Sequence, residues 1–325
     1  MGRLTQLDGV LFPVDVHPVF VSIAEKNGEL RLRVPEKKAI VNRTTNRVLG
    51  IVSRDYRLVS NQEALEMARQ CCRTVFPETK PGEWEVDATD APLTGSYCHI
   101  DLLHNTTRLD FSFTPADQRP EAFGPFIRVS NSYNGLRALA FDIGFYRKVC
   151  KNGLIVPETI IRFKFTHLRR NIGETIRFEI AQEKLKSFRT GFTKALEGLR
   201  ACVLPRQQFD PLICTVLLLR PPQGLNSEIR EKDEWQKLGA HLSEMSDRYA
   251  GELGENAYAA FNAITEFASH PPENRSVHRD RHSLQRLAGT WLTSFNESCH
   301  KPDFSIASHL ERFAAERAKA DSQQN

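Results

Sequence analysis

The chain of 325 residues exceeds the usual size of a single domain, so we expect two domains. Its hydrophobic and charged fractions, 40% and 26%, are those of an ordinary folded protein and argue against a largely disordered chain. No stretch approaches the ~20 consecutive apolar residues of a membrane span, and the first residues lack the apolar core of a signal peptide, so we expect a cytoplasmic protein without a membrane partner.

The first part of the chain predicts strands. Residues Val10–Val21 mix β-branched residues with prolines, which is typical of an edge strand, and Glu29–Val34 alternate strictly between polar and apolar. The polar stretch Asn42–Arg47 separates two short apolar runs and suits a hairpin connection. Two further strands are predicted over Trp84–Ala88 and Tyr97–Leu103.

A helix start is encoded after these first strands. Ser60 followed by Glu63 forms a capping box, because the serine hydroxyl can accept from the third backbone N–H while the glutamate reaches back. We therefore predict a helix that follows Ser60 and ends before Pro77.

A tight hairpin is predicted around Asn134-Gly135. This dipeptide supplies positive φ at both central positions of a type I′ turn and lies between two strand-like runs. Counting outward from the turn, Ser132 faces Arg137. Neither face of the resulting ribbon is purely apolar, which is unusual for a simple core hairpin.

The second half of the chain predicts helices. One is expected over about Gly173–Arg200, ending before Pro205, whereas the apolar run Leu212–Leu219 fits a strand or a short buried helix. Four more are expected over 233–249, 256–269, 283–295 and 305–320. The predicted fold class is α+β: an antiparallel-sheet N-terminal domain with packed helices over residues 1–204, followed by a helical C-terminal domain over residues 205–325.

Positive charge is concentrated in one segment. Residues Glu121–Arg200 contain fifteen basic and seven acidic residues, so the rest of the chain sums to −4 although the whole carries +4. On the predicted strands of this segment basic side chains alternate with aromatic ones. Such a sheet can present cations to phosphates, or its aromatics can fill the core while the basic rows cover the outer face.

The sequence offers little for catalysis or metal binding. Phosphate-binding glycine loops and the serine-hydrolase elbow are both missing. His278 and His282 have the spacing of metal ligands on a helix, and Glu36 with Lys38 matches a fragment of metal-dependent nucleases, with Asp15, Asp55 or Asp101 as the further acid. A solvated surface explains both patterns more simply. The seven cysteines contain no C-x-x-C pair, so we expect free thiols, no metal and no cofactor.

Four stretches carry a family resemblance. They are Tyr56–Leu65, Ser130–Gly135, Phe145–Leu154 and Asn262–Glu266. Together they resemble a phage- and plasmid-borne family known only as a domain of unknown function (domain of unknown function 932), over roughly Val14–Thr293. The resemblance implies a role in DNA metabolism, recombination or conflict between mobile elements and hosts, and it supplies no catalytic residues.

The leading hypothesis is a non-enzymatic protein of mobile elements that binds or anneals single-stranded DNA. Its proposed phosphate ligands are Arg128, Arg137, Arg147, Lys148, Lys151, Arg162, Lys164, Arg169 and Arg170, and its expected exposed stacking rings are Tyr133 and Tyr146. Self-association is compatible with this role. Two alternatives stay open: a protein-interaction factor that meets a host or element protein in phage or plasmid defence, and a metal-dependent nuclease built on Glu36 and Lys38.

Overall fold

A computed structural model describes most of the chain. The described residues are 3–25, 28–106, 111–113, 121–147, 152–155, 162–165, 167, 191–221, 229–299 and 301–322. Among these residues no helix is both long and apolar enough to cross a membrane.

The first sheet has three antiparallel strands. They are β2 (Val14–Glu25), β3 (Gly28–Asn42) and β4 (Arg47–Ser53), in the order β2-β3-β4. The turn between β3 and β4 is closed by Asn42, whose side-chain oxygen accepts hydrogen bonds from the backbone N–H groups of Thr44 and Thr45. The predicted hairpin connection is therefore confirmed.

Because β4 pairs only with residues 37–42 of β3, the distal parts of β2 and β3 form a two-stranded ribbon. We call this ribbon, residues 19–25 and 28–34, the β2–β3 arm. Its register places Val19 opposite Val34 and Ile23 opposite Leu30.

The second sheet has eight strands. They are β1 (Arg3–Leu4), β5 (Trp84–Pro92), β6 (Tyr97–His104), β7 (Phe111–Phe113), β8 (Glu121–Ser132), β9 (Leu139–Arg147), β10 (Asn152–Ile155) and β11 (Arg162–Phe165). Its main order is β1-β5-β6-β8-β9-β10, with β7 paired to β8 and β11 paired to β9. All nine residues of β9 are buried, so both faces of this strand are covered.

One α-helix lies between β4 and β5 in the sequence, and the described α-helices that remain follow the second sheet. They are α1 (Asn61–Val75), α2 (described over 191–201), α3 (Phe209–Leu217), α4 (Ile229–Leu253), α5 (Ala257–Ser269), α6 (Arg281–Ser298) and α7 (Ile306–Ser322). The four predicted C-terminal helices are confirmed, and the apolar run near Leu212 is a buried helix. Most of the helix predicted over 173–200 lies outside the described residues. With antiparallel sheets first and helices mainly later, the α+β prediction is confirmed.

The chain forms two compact units. Unit 1 comprises residues 1–109, 125–143 and 161–183, and unit 2 comprises residues 110–124, 144–160 and 184–325. Each unit is therefore assembled from three separate stretches, whereas the sequence assigned one continuous stretch to each domain. The boundary at residue 204 stays a prediction.

The predicted hairpin between β8 and β9 exists with a different turn. The two strands are neighbours in the sheet, and Ser132 lies opposite Arg137, because its hydroxyl donates to the Arg137 carbonyl at 2.9 Å and accepts from its N–H at 3.3 Å. Gly135 has φ 73°, but Asn134 is not in the left-handed region, which excludes a type I′ turn. Instead the Asn134 side chain accepts from the Leu136 N–H, and residues 133–138 make a wider connection.

The start of α1 matches its sequence prediction. The Ser60 hydroxyl accepts from the Glu63 N–H at 3.1 Å, and the Glu63 carboxylate accepts from the Ser60 N–H at 2.7 Å. This capping box satisfies two of the N–H groups that a helix start leaves unpaired.

Replacing Ser60 by alanine removes this cap, so we expect Ser60→Ala to lower the free energy of unfolding by about 1 kcal/mol. Gln70→Ala, at an exposed position of the same helix, is the matched control and should change it by less than about 0.5 kcal/mol. Urea unfolding followed by circular dichroism measures both. Equal effects of the two variants would contradict the assigned cap.

The core of unit 2 encloses a histidine. His309 is 2% exposed and lies among the rings of Trp291, Phe295, Phe304 and Phe313. Burial, with a smaller contribution from the charge of Arg312, lowers the pKa of this imidazole from its ordinary 6.5 to about 4.

This pKa makes unit 2 sensitive to acid. Between the folded and unfolded pKa values the unfolded chain binds the extra proton at this histidine, so the contribution of His309 lowers the free energy of unfolding as pH drops from about 6.5 to about 4. We expect His309→Phe to lose less stability than the wild type between about pH 7 and about pH 4.5, measured by urea unfolding. The exposed-site variant His278→Gln should behave like the wild type; identical acid losses in wild type and His309→Phe would refute the prediction.

Candidate functional site

The basic side chains predicted to bind nucleic acid fall into three groups: buried, half-buried, and outside the described residues. Arg128 and Arg147 are buried at 2% and 8% exposure, and Arg137 is half-buried. The backbones of Arg162 and Lys164 lie in β11, opposite Asp142 and Ala140 of β9, but their side chains are outside the described residues. Four further predicted ligands also lie outside the described residues: Lys148, Lys151, Arg169 and Arg170.

Arg128 forms a buried ion pair. It lies opposite Asp101 across β6 and β8, and its Nε and Nη2 donate to the two carboxylate oxygens at 2.5 Å and 2.6 Å. Burial works against the charge, but Asp101, together with Asp142 and Asp90, leaves the pKa of the guanidinium raised. The guanidinium therefore stays charged inside the sheet and cannot reach a phosphate, which corrects its predicted role.

The two predicted stacking rings are buried as well. Tyr133 is 0% exposed and Tyr146 is 7% exposed, so neither offers a face to a base. The Tyr133 hydroxyl accepts from the Asn61 N–H at 2.8 Å, and burial raises the pKa of this phenol above its usual value. The expectation that these rings are exposed was wrong. Tyr146 lies on β9, a strand covered on both faces, and Tyr133 packs in a core cluster that includes Ile40 and Tyr56.

The residues of two resembling stretches are joined to each other by hydrogen bonds. The Asn131 amide donates to the Val59 carbonyl and to the Asn61 side-chain oxygen, both at 2.9 Å. The Tyr56 hydroxyl donates to the Ser132 carbonyl at 2.5 Å. These contacts connect the segment before α1 to the end of β8, so both stretches build one polar joint inside unit 1.

The other two resembling stretches meet in unit 2. Arg147, at the end of β9, donates from Nη1 to the Asn262 side-chain oxygen of α5 at 3.2 Å. Asn262 in turn donates to the Tyr258 carbonyl at 2.9 Å, which fixes its amide. Arg147 therefore has a structural contact where the sequence predicted a phosphate ligand.

A histidine–serine pair lies beside the buried ion pair. His99 Nδ1 and the Ser130 hydroxyl are 2.8 Å apart, and Arg137 Nη1 lies 3.3 Å from His99 Nε2 while its guanidinium covers the Tyr97 ring at 4.2 Å. The distance suits a base and its nucleophile. However, His99 and Ser130 are 2% and 3% exposed, so no substrate can reach the hydroxyl and the pair has the character of a core contact.

The predicted metal and nuclease patterns are not assembled in the described part of the chain. No group of three or more potential metal ligands occurs among the described residues. His278 precedes α6 and is exposed, whereas His282 lies within that helix and is buried, so the two do not share a helix face. Glu36 is exposed on the three-stranded sheet, while Asp101 is buried in the other sheet with Arg128.

The structure reveals a basic surface elsewhere. Residues 31–57 contain eight basic and two acidic residues, and all but one of the basic side chains are exposed. They are Arg31, Arg33, Lys37, Arg43, Arg47, Arg54 and Arg57, with Lys38 half-buried. We call this set the sheet-1 basic surface. A count of charged residues over short windows reveals this surface in the sequence. A comparison of Glu121–Arg200 with the sum over all other residues hides it, because that sum is negative.

These features define an α+β protein with buried polar pairs inside its sheets and, in the part of the chain that the structure describes, a run of exposed basic residues on and just after one small sheet. Residues 48–291 match the model of the family described as Domain of unknown function (DUF932). The chain belongs to this family, which confirms the resemblance. No curated protein and no solved structure matches the chain.

The Asp101–Arg128 pair gives a sharp test of burial. Asp101→Asn removes the carboxylate that pairs with the buried arginine, so we expect the free energy of unfolding to fall by about 3–5 kcal/mol. The matched control is Asp15→Asn, which breaks the exposed Arg43–Asp15 pair and should cost less than about 1 kcal/mol. Similar losses for the two variants, measured by chemical unfolding, would contradict the burial of the pair.

Proposed function

We propose that the protein binds single-stranded nucleic acid through the sheet-1 basic surface. The observation that carries this proposal is the excess of exposed basic side chains over residues 31–57, where eight basic residues accompany only two acidic ones. Binding to a phosphate backbone depends mainly on such cations, since each neutralised phosphate releases counterions.

The positions of these cations support a backbone contact. Arg31 and Arg33 are two residues apart on one strand, so their side chains project from the same face about 7 Å apart. Arg43 and Arg47 flank the turn between β3 and β4, and Arg54 follows the end of β4. The cations are therefore spread along one small sheet instead of being gathered at a point, as an extended backbone requires.

An exposed aromatic ring accompanies the cations. Phe20 is 47% exposed, and the Arg31 guanidinium lies 5.7 Å from its ring centre. Phe20 pairs with Arg33 across the β2–β3 arm, so the ring and both arginines share one face. A base can stack on such a ring, and stacking tolerates any sequence, which favours single strands without strong sequence preference.

Removing cations from this surface should weaken binding and flatten its salt dependence. We expect the triple variant Arg33→Ala, Lys37→Ala, Arg47→Ala to reduce the slope of log affinity against log salt by about 2, since each lost contact to a single strand contributes about 0.7. Fluorescence anisotropy with a labelled mixed-sequence oligonucleotide between about 50 and about 200 mM salt measures it.

The matched control removes the same charge elsewhere. Arg69, Arg73 and Lys80 are exposed on and after α1, and their triple alanine variant should keep nearly the wild-type slope. Phe20→Ala should cost roughly tenfold in affinity with the slope unchanged, because it removes stacking and not charge. The proposal is refuted by undetectable binding of the wild type at about 50 mM salt, or by equal losses in the two triple variants.

A further inference from the structure

Over residues 19–23 and 30–34, the β2–β3 arm has one aliphatic face. The register pairs Val19 with Val34, Val21 with Leu32, and Ile23 with Leu30. Because residues directly opposite each other in an antiparallel ribbon lie on the same face, these six side chains form one aliphatic surface. The opposite face carries the pairs Phe20–Arg33, Ser22–Arg31 and Ala24–Glu29.

This aliphatic face is open to solvent. Val21, Ile23, Leu30 and Leu32 are 50%, 43%, 42% and 46% exposed. Eleven large hydrophobic residues are exposed in the described part of the chain, and these four lie together on one ribbon. A two-stranded ribbon is only marginally stable in water, so an aliphatic face of this kind is stabilised when it is covered.

The distribution of charged residues over the two faces of the arm limits the kind of partner that can cover the aliphatic face. The six side chains of this aliphatic face include no charged or aromatic residue, so they offer nothing to phosphates or bases; the next pair on the same side, Glu25 and Gly28, lies at the tip of the arm. Arg31, Arg33 and Glu29 lie on the opposite face, so a partner that covers only these six side chains buries none of these charges. The matching surface must be equally flat, uncharged and aliphatic.

We propose that the aliphatic face of the β2–β3 arm packs against the same face of a second copy of this chain. A two-fold contact uses one patch on both copies, so a single contact covers both aliphatic faces and leaves none exposed. The two ribbons stack like the layers of a sandwich, about 10 Å apart, with their arginines pointing outward.

The size of the face sets the strength of this contact. The exposed aliphatic area is on the order of a few hundred Å² per copy, so the two copies bury roughly 800 Å² in total, which is less than the about 1,000 Å² that a stable interface usually exceeds. The dimer is accordingly weak and its population rises with protein concentration. It does not depend on nucleic-acid binding.

The test places one charge on either face of the same strand. Val21→Glu puts a carboxylate into the contact, and we expect the dimer dissociation constant of the full chain to rise at least about tenfold. Ser22→Glu, one residue further and on the opposite face, should leave it unchanged. Sedimentation velocity over a concentration series measures both, with nucleic acid removed by nuclease and the fold checked by circular dichroism.

Three outcomes overturn the proposal. The first is a wild-type protein that stays monomeric up to about 100 µM. The second is an association that Val21→Glu and Ser22→Glu weaken equally, or that neither weakens. The third is a monomeric wild type that binds phosphatidylcholine vesicles and loses this binding on Val21→Glu, which would identify a lipid surface as the occupant. Because these assays contain no nucleic acid, their failure is distinguishable from failure of the proposed function.

Discussion

Buried amide groups must find hydrogen-bond partners, and this constraint holds unit 1 together. Asn61 and Asn131 are 1% exposed, and they bond to each other and to the backbone carbonyls of Val10 and Val59, which come from two separate parts of the chain. Removing either side chain would leave its partners unsatisfied in a medium where that is costly. These bonds attach the start of α1 to the end of β8, and the buried apolar residues of the helix, from Ala64 to Val75, pack along the rest of its length.

The same constraint explains why two of the predicted arginines, Arg128 and Arg147, are not at the surface. Arg128 is buried against Asp101, and Arg147 is buried where it donates to Asn262. Alternation of charged and apolar residues predicts exposure only when one face of a strand is wet. β9 is buried along its whole length, so its polar residues point into the protein and need internal partners.

The sequence predicts the features that depend on neighbouring residues, but it does not predict which strands are buried on both faces. The capping box at Ser60, the polar turn after Asn42 and the helical periodicity after residue 229 depend on neighbouring residues, and each is confirmed. The type I′ turn predicted at Asn134 also rests on neighbouring residues alone. In the structure β4 lies close to this turn: a Cβ on Gly50 would lie 2.7 Å from the Tyr133 carbonyl oxygen. Which basic residues face solvent depends on strand neighbours that are distant in sequence, so the predicted site could not be located that way.

The residues that match the family model include the buried polar joints but exclude most of the two proposed surfaces. The match begins at residue 48, inside β4, and includes the joint between Asn61 and Asn131 as well as the contact between Arg147 and Asn262. The β2–β3 arm and most of the sheet-1 basic surface precede residue 48. The matched range therefore contains both buried polar joints. The exposed cations and the aliphatic face rest on this chain's own side chains, so each surface must be tested on this protein by substitutions confined to it.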